Sequence, residues 1–132
     1  MGVDRIKLSH GSGAGLKTLL EELILPSLVH QRGGPLEDAA VVPAEGERLA
    51  FSTDSFVVDP VEFPGGDIGK LAACGTINDL AMMGAKPRYL SVALILEEGL
   101  DGALLRRVLE SLRDVCLSSG VTIECGDTKV VG

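Results

Sequence analysis

Aromatic side chains are nearly missing from this chain: no tryptophan, one tyrosine (Tyr89) and three phenylalanines, 3% of 132 residues. Its core must therefore be aliphatic. A single-stranded nucleic-acid surface, which stacks bases on aromatic rings, is not expected. Runs of Lys or Arg are lacking too, and the net charge is −7. That balance argues against nucleic acid or an anionic membrane as partner. No apolar run approaches the roughly 18 residues of a membrane span, and Met1-Gly-Val-Asp-Arg5 has no apolar leader core. Cys74, Cys116 and Cys125 are odd in number and follow no Cys-x-x-Cys spacing. Neither a disulfide framework nor a zinc site is expected, and a reducing cytoplasm is the expected compartment.

What is present is an ordinary globular composition, 45% apolar, in a chain about one domain long. Residues 1–35 read as a Gly-rich arm and a helix, and residues 36–132 as the domain proper. Apolar residues at 16, 19, 20, 23 and 24 predict a helix from Leu16 to Val29, bent or ended by Pro26. Gln31 to Glu37 reads as a loop. Strands are predicted over 39–42 and 49–58, the second interrupted by Thr53-Asp54-Ser55. A helix follows over 67–83, capped by Asp67 and stopped by Gly84 and Pro87. A strand over 88–96, a helix over 101–119 closed by Gly120, and a strand over 121–125 complete the order. The expectation is an α+β domain with one four-stranded mixed sheet and helices on one face. The strands 49–58 and 88–96 are apolar at nearly every position, so the other face needs cover as well. In so short a chain, a second copy packed sheet to sheet is the expected cover.

The residue that fits worst is a carboxylate. Asn78-Asp79 interrupts a helix that is apolar almost all round, with Asp79 on the face of Ile68, Leu71, Ala72 and Gly75. A buried carboxylate without a partner costs several kcal/mol, which implies a waiting cation or hydrogen-bond network. Asp38, Asp54 and Asp127 stand in comparable places, at the junction of an element or breaking an apolar one. Convergent carboxylates are what Mg²⁺ prefers when it bridges nucleotide phosphates. Taken singly, each also reads as a cap, a bulge or a turn.

Two further stretches are candidates for phosphate. His10-Gly-Ser-Gly-Ala-Gly-Leu-Lys-Thr18 looks like a phosphate loop, but Leu16 occupies the glycine position before the Lys-Thr pair, so a Walker motif is excluded. What survives is a set of small residues, Gly11, Ser12 and Gly13, before a helix: a phosphate wrap or merely an arm. Lys129 follows Asp127 by two residues, so both face one way on an extended chain, either to hold a ligand or to pair with each other. Lys70, in the first turn of its helix, either reaches phosphate or is solvated.

Taken together, these motifs resemble a known family. They are Ser9-His-Gly-Ser-Gly13, Phe51-Ser-Thr-Asp-Ser-Phe-Val-Val58, Phe63-Pro-Gly-Gly-Asp-Ile-Gly-Lys70, Asn78-Asp-Leu-Ala-Met-Met-Gly-Ala-Lys-Pro87 and Gly126-Asp-Thr-Lys-Val-Val131. The family is HypE, the carbamoyl dehydratases of hydrogenase maturation, in the aminoimidazole-ribonucleotide-synthetase superfamily. The resemblance implies a homodimer whose N-terminal sheets join into a barrel-like core and bind Mg²⁺ and ATP at the interface. It implies metal or metal-phosphate roles for Asp38, Asp54, Asp79 and Asp127. Gly11, Ser12, Gly13, Lys70, Asn78 and Lys129 would serve the nucleotide, with the Gly11–Gly15 loop over the triphosphate. It further implies the carbamoyltransferase HypF and the HypC–HypD scaffold as partners. The chemistry implied is ATP-driven dehydration of an S-carbamoyl cysteine to thiocyanate, the source of cyanide for nickel–iron hydrogenase.

None of the three cysteines matches the family's C-terminal acceptor, and the C-terminal domain is not in this sequence. The expectation for these 132 residues alone is therefore dimerisation, weak nucleotide binding and no catalysis. Two other readings stand beside this one. A selenophosphate synthetase or thiamine-phosphate kinase relative would share the superfamily motifs. A non-catalytic dimerisation module would use the acidic motifs only as caps and turns.

Overall fold

The computed structural model describes residues 6–28 and 38–132. Two compact units, Met1–Leu36 and Glu37–Gly132, make up the chain. In the first, a 3₁₀ turn over Leu8–Gly11 leads into helix α1 (Gly13–Leu19). A π-helical stretch, Leu20–Ile24, then continues into α2 (Leu25–Leu28). The helix thus starts at Gly13, ahead of the apolar stripe from Leu16. The widened turn falls just before Pro26, which has no N–H to return to the carbonyl four residues back. The expected helix end at Val29 and the loop from Gln31 to Glu37 lie outside the described residues.

The second unit runs β1 (Ala40–Ala44), β2 (Glu47–Phe51), β3 (Glu62–Phe63), β4 (Gly66–Asp67), α3 (Ile68–Met82), β5 (Tyr89–Glu97), α4 (Gly102–Ser119) and β6 (Thr122–Val131). It is α+β, as the sequence predicts. The single four-stranded sheet is not what the strands form. Among the described residues they make three two-stranded sheets: β1–β2 antiparallel, β3–β4 antiparallel and β5–β6 parallel. The reason lies after Phe51. The polar triplet ends β2 instead of merely interrupting it, because the Ser55 N–H turns to the Asp54 Oδ1 at 2.8 Å. The Ser52 hydroxyl likewise donates to the Asp38 carbonyl at 2.9 Å. β6 is longer than expected, and Gly126-Asp-Thr-Lys129 lies inside it rather than at a turn.

Local signals set the helix ends. The Asp67 carboxylate accepts from the Lys70 N–H and starts α3, and the Asp101 carboxylate accepts from the Ala103 N–H and starts α4. Gly120, with φ of 69°, closes α4 in the left-handed region. Val108, Leu112 and Cys116, spaced at i, i+4 and i+8, form the buried stripe of α4. Leu112 and Cys116 join Ala73 and Val121 in the core cluster, and Ile77, Leu90, Val92 and Val115 pack around it.

α3 meets α4 at very close range. A side chain on Gly69 would run into the Val108 carbonyl, so only glycine permits that approach. Arg107 grips Glu62 on β3 with two bonds of 2.7 and 3.0 Å, and this holds the Glu62 carboxyl below its usual range.

Among the large apolar side chains that remain exposed, two groups lie on strands. On the hairpin these are Val41, Val42, Leu49 and Phe51. On β5, burial alternates strictly: Leu90, Val92, Leu94 and Leu96 face the helices, whereas Tyr89 and Ile95 lie open at 65% and 76% exposure. Among the described residues of this unit, β5 is therefore covered on one face only.

Candidate functional site

α3 carries the candidate pair. Its inner stripe is Gly69, Ala73 and Ile77, the residues that meet α4 and the core. At about 100° per residue, Asp79 lies on the opposite side, with Gly75. Leu71 and Met82 on that side are 40% and 73% exposed. Asp79 is half-buried and Asn78 exposed. The face predicted to point inward is thus the outer one. Both faces are apolar, and the close contact went to the side with the smallest residues.

That outer face is nonetheless occupied. The Phe56 ring lies over Gly75, where an added Cβ would come within 2.7 Å of its Cζ and 4.0 Å of the Asp54 Oδ2. Phe56 therefore docks the irregular segment after β2 onto α3 and brings the Asp54 carboxylate beside it. Asp79 is one turn further along the same face, the usual spacing for helical neighbours. Asp38 and Asp54 leave the same end of the β1–β2 hairpin, beyond the last pair Ala40↔Phe51. The ion pairs among the described residues are Lys17–Glu21, Arg107–Glu62, Arg113–Asp114 and Lys129–Asp127. None of them neutralises Asp38, Asp54 or Asp79.

Asp127 and Lys129 do face one way, as their spacing implies. The Lys129 Nζ lies 2.8 and 2.6 Å from the two carboxylate oxygens of Asp127, and both side chains are largely exposed. They belong to the β5–β6 sheet, away from the hairpin carboxylates in sequence and in sheet membership. Among the described residues, no three His, Cys, Asp or Glu side chains gather closely enough to hold a metal ion. The candidate aspartates fall into smaller sets instead: Asp54 beside the Asp79 face, Asp38 near Asp54, and Asp127 with its lysine.

Lys70 is engaged locally, with its Nζ donating to the Gly65 carbonyl at 3.0 Å. The rest of that motif is structural as well. Among the described residues, Asp67 is the buried carboxylate, at 7% exposure. Its Oδ1 accepts from the Lys70 N–H at 2.9 Å and its Oδ2 from the Ser111 hydroxyl at 2.5 Å. In the first unit, Gly11 ends the 3₁₀ turn, Ser12 precedes α1 without bonding its end through the side chain, and Gly13 takes φ of 55°.

Phe56, Ser111 and Gly75 were not singled out as functional from the sequence. The available signal was Gly75, a glycine within a helix, which marks a close approach without saying whose. Of the cysteines, Cys116 is buried, Cys74 half-buried and Cys125 exposed on β6. Burial, with Cys74 nearby, pushes the Cys116 thiol up.

Comparison with known proteins gives the family of the chain. Residues 36–132 match the family pattern described as AIR synthase related protein, N-terminal domain. The carbamoyl dehydratase HypE of Rhodobacter capsulatus is 51% identical, over 98% of this chain and 39% of the relative. HypE of Escherichia coli K12 is 49% identical over 98% of this chain and 40% of the relative. The chain thus spans about two fifths of the length of these relatives. A HypE–HypF complex matches with a TM-score of 0.74 and 42% identity, over 90% of this chain and 37% of the other. A HypE structure in complex with ATP matches with a TM-score of 0.61 and 42% identity, over 96% and 38%. On these matches the chain belongs to the AIR synthase related proteins, with residues 36–132 as the N-terminal domain, and within them it is similar to HypE.

Proposed function

We propose that this chain is the nucleotide-binding part of a hydrogenase-maturation carbamoyl dehydratase. The observation that carries the reading is the Asp54 carboxylate, in no ion pair among the described residues, laid against the α3 face that holds Asp79. The likeness to a HypE that binds ATP gives that pair of anions a partner. Carboxylate oxygens are the hard donors that Mg²⁺ takes, and Mg²⁺ is usually held by one or two of them together with substrate phosphates. Asp54 and Asp79 fit that requirement, with Asp38 close by in the hairpin and Asn78 as a neutral donor. Mg²⁺ bound there would neutralise phosphate charge. Lys129, released from Asp127, and the N–H groups about Gly11, Ser12 and Gly13 would meet the nucleotide. Lys70 would have to leave the Gly65 carbonyl to join them.

In the whole protein the carbamoyl oxygen would accept the γ-phosphoryl group of ATP and leave as phosphate. The S-carbamoyl cysteine would become a thiocyanate, with ADP as the other product. The complex of a related HypE with HypF supports HypF as a partner of the whole protein, and the family resemblance adds the HypC–HypD scaffold to the proposal. The open β5 face and the exposed hairpin apolars favour a second copy as cover, completing a barrel-like core. The cytoplasm is the compartment in which such maturation would proceed. Among the described residues no helix is long and apolar enough to cross a membrane.

Isothermal titration with Mg-ATP tests the reading, on wild type and on Asp79→Asn. Heat in wild type that vanishes in the variant supports the site. Equal heat in both removes Asp79 from it, and silence in both favours a dimerisation module.

A further inference from the structure

A strand of regular period puts residues four apart on one face, yet Ile123 and Asp127 are on opposite faces of β6. Ile123 pairs with Leu90, which packs on the core, whereas Asp127 pairs with Ala93 on the exposed side of β5. The change of side takes place at one point. Leu90 pairs with Ile123 but Ser91 pairs with Cys125, so Glu124 is an extra residue bulged out of the ladder. Just beyond it, a side chain on Gly126 would collide with the Val92 carbonyl, so the backbone there turns edge-on towards β5. Without the bulge, a chain of this length that kept Ile123 inward would put Asp127 and Lys129 beneath α4, among apolar side chains.

We propose that the bulge at Glu124, with Gly126 as its required glycine, is a positioning device that turns the Asp127–Lys129 pair onto the open face of the sheet. Gly126 touches no ligand in this scheme. It acts by fixing the side from which Asp127 and Lys129 meet one. The role of that pair in binding rests on the nucleotide reading above, but the geometric part does not.

The test uses cysteine pairs in the full protein with its native cysteines replaced, because a disulfide forms only between neighbouring side chains on one face. Glu97→Cys with Val131→Cys, register partners on the open face, should cross-link, whereas Leu96→Cys with Val131→Cys should not. Deleting Glu124 removes the extra residue but leaves both pairings intact, so that preference should persist. Gly126→Ala should abolish it. Mg-ATP affinity should follow the same pattern, falling about tenfold or more in Gly126→Ala and staying near wild type in the deletion.

Cross-linking through position 96 in the parent would overturn the proposal. So would a reversed preference in the deletion, or an unchanged one in Gly126→Ala. If Gly126→Ala does not fold, the parent and the deletion still decide. If no form binds nucleotide while the cross-links behave as stated, the nucleotide reading fails and the positioning device stands.

Discussion

The Ser111 hydroxyl on α4 donates to the Asp67 Oδ2 at 2.5 Å, on the carboxylate whose other oxygen caps the first turn of α3. One buried side chain thus joins the start of one helix to the flank of the next. With Gly69 against the Val108 carbonyl and Glu62 on Arg107, it ties the Phe63–Lys70 motif to α4. Because Asp79 lies further along α3, this junction also sets the direction its carboxylate takes.

Removing Ser111's hydroxyl leaves a buried carboxylate oxygen without its partner. Ser111→Ala should cost about 1–3 kcal/mol, and Asp67→Asn less than Asp67→Ala, because asparagine still caps. Urea unfolding of the three variants checks the order.

The two close-contact glycines of α3 should respond differently. At Gly69 an added methyl meets backbone, the Val108 carbonyl, which cannot step aside. Gly69→Ala should destabilise by about 1–3 kcal/mol. At Gly75 it meets the far end of the Phe56 ring, which can swing away. Gly75→Ala should cost less stability but displace Phe56 and with it Asp54. Thermal melts together with Mg-ATP titration separate the outcomes: Gly69→Ala should lose mainly stability, Gly75→Ala mainly binding.

Cys116 gives the fold an alkaline limit. Burial raises its thiol above the ordinary value, so the folded state favours the neutral form. The associated stability is complete below the unfolded thiol value of about 8.5 and is lost as pH rises through the folded one. Melting temperature should therefore fall more steeply above about pH 8.5 in wild type than in Cys116→Ala. Parallel slopes would show that the thiol is not the cause. Alkylation of the native protein should proceed in the order Cys125, Cys74, Cys116, following their exposure.

In the full-length protein, Asp79→Ala should abolish ATP hydrolysis and leave the dimer intact, since Asp79 is absent from the inner stripe of α3. Sedimentation and phosphate release measured on one sample decide it. A stable monomer at micromolar concentration, in wild type itself, would remove the sheet-to-sheet dimer.

Much of the fold was legible because its signals are local. Asp67, Asp101 and Gly120 mark helix ends through bonds and dihedrals confined to a few residues, and each did so in the structure. The alternation of period two put Asp127 and Lys129 on one side of their strand, where they pair. The aliphatic core followed from composition. Asp79's direction was not legible, because α3 is apolar all round and its periodicity has no preferred side.

The sequence by itself determined which residues start α3 and α4 and which one stops α4, which carboxylates interrupt apolar stretches, and that few aromatics would be available to cover them. The tertiary structure decided the rest, because the rest depends on partners distant along the chain. The Val108 carbonyl chose Gly69 as the inner side of α3, and the Phe56 ring on Gly75 brought Asp54 to the outer side. Among the described residues the strands form three small sheets where one was expected, with β2 ending at the polar triplet after Phe51. Pairing with β5, through one extra residue at Glu124, placed Asp127 opposite Ile123. A one-residue shift in such pairing reverses every side chain beyond it, and no pattern within β6 alone records which side was taken.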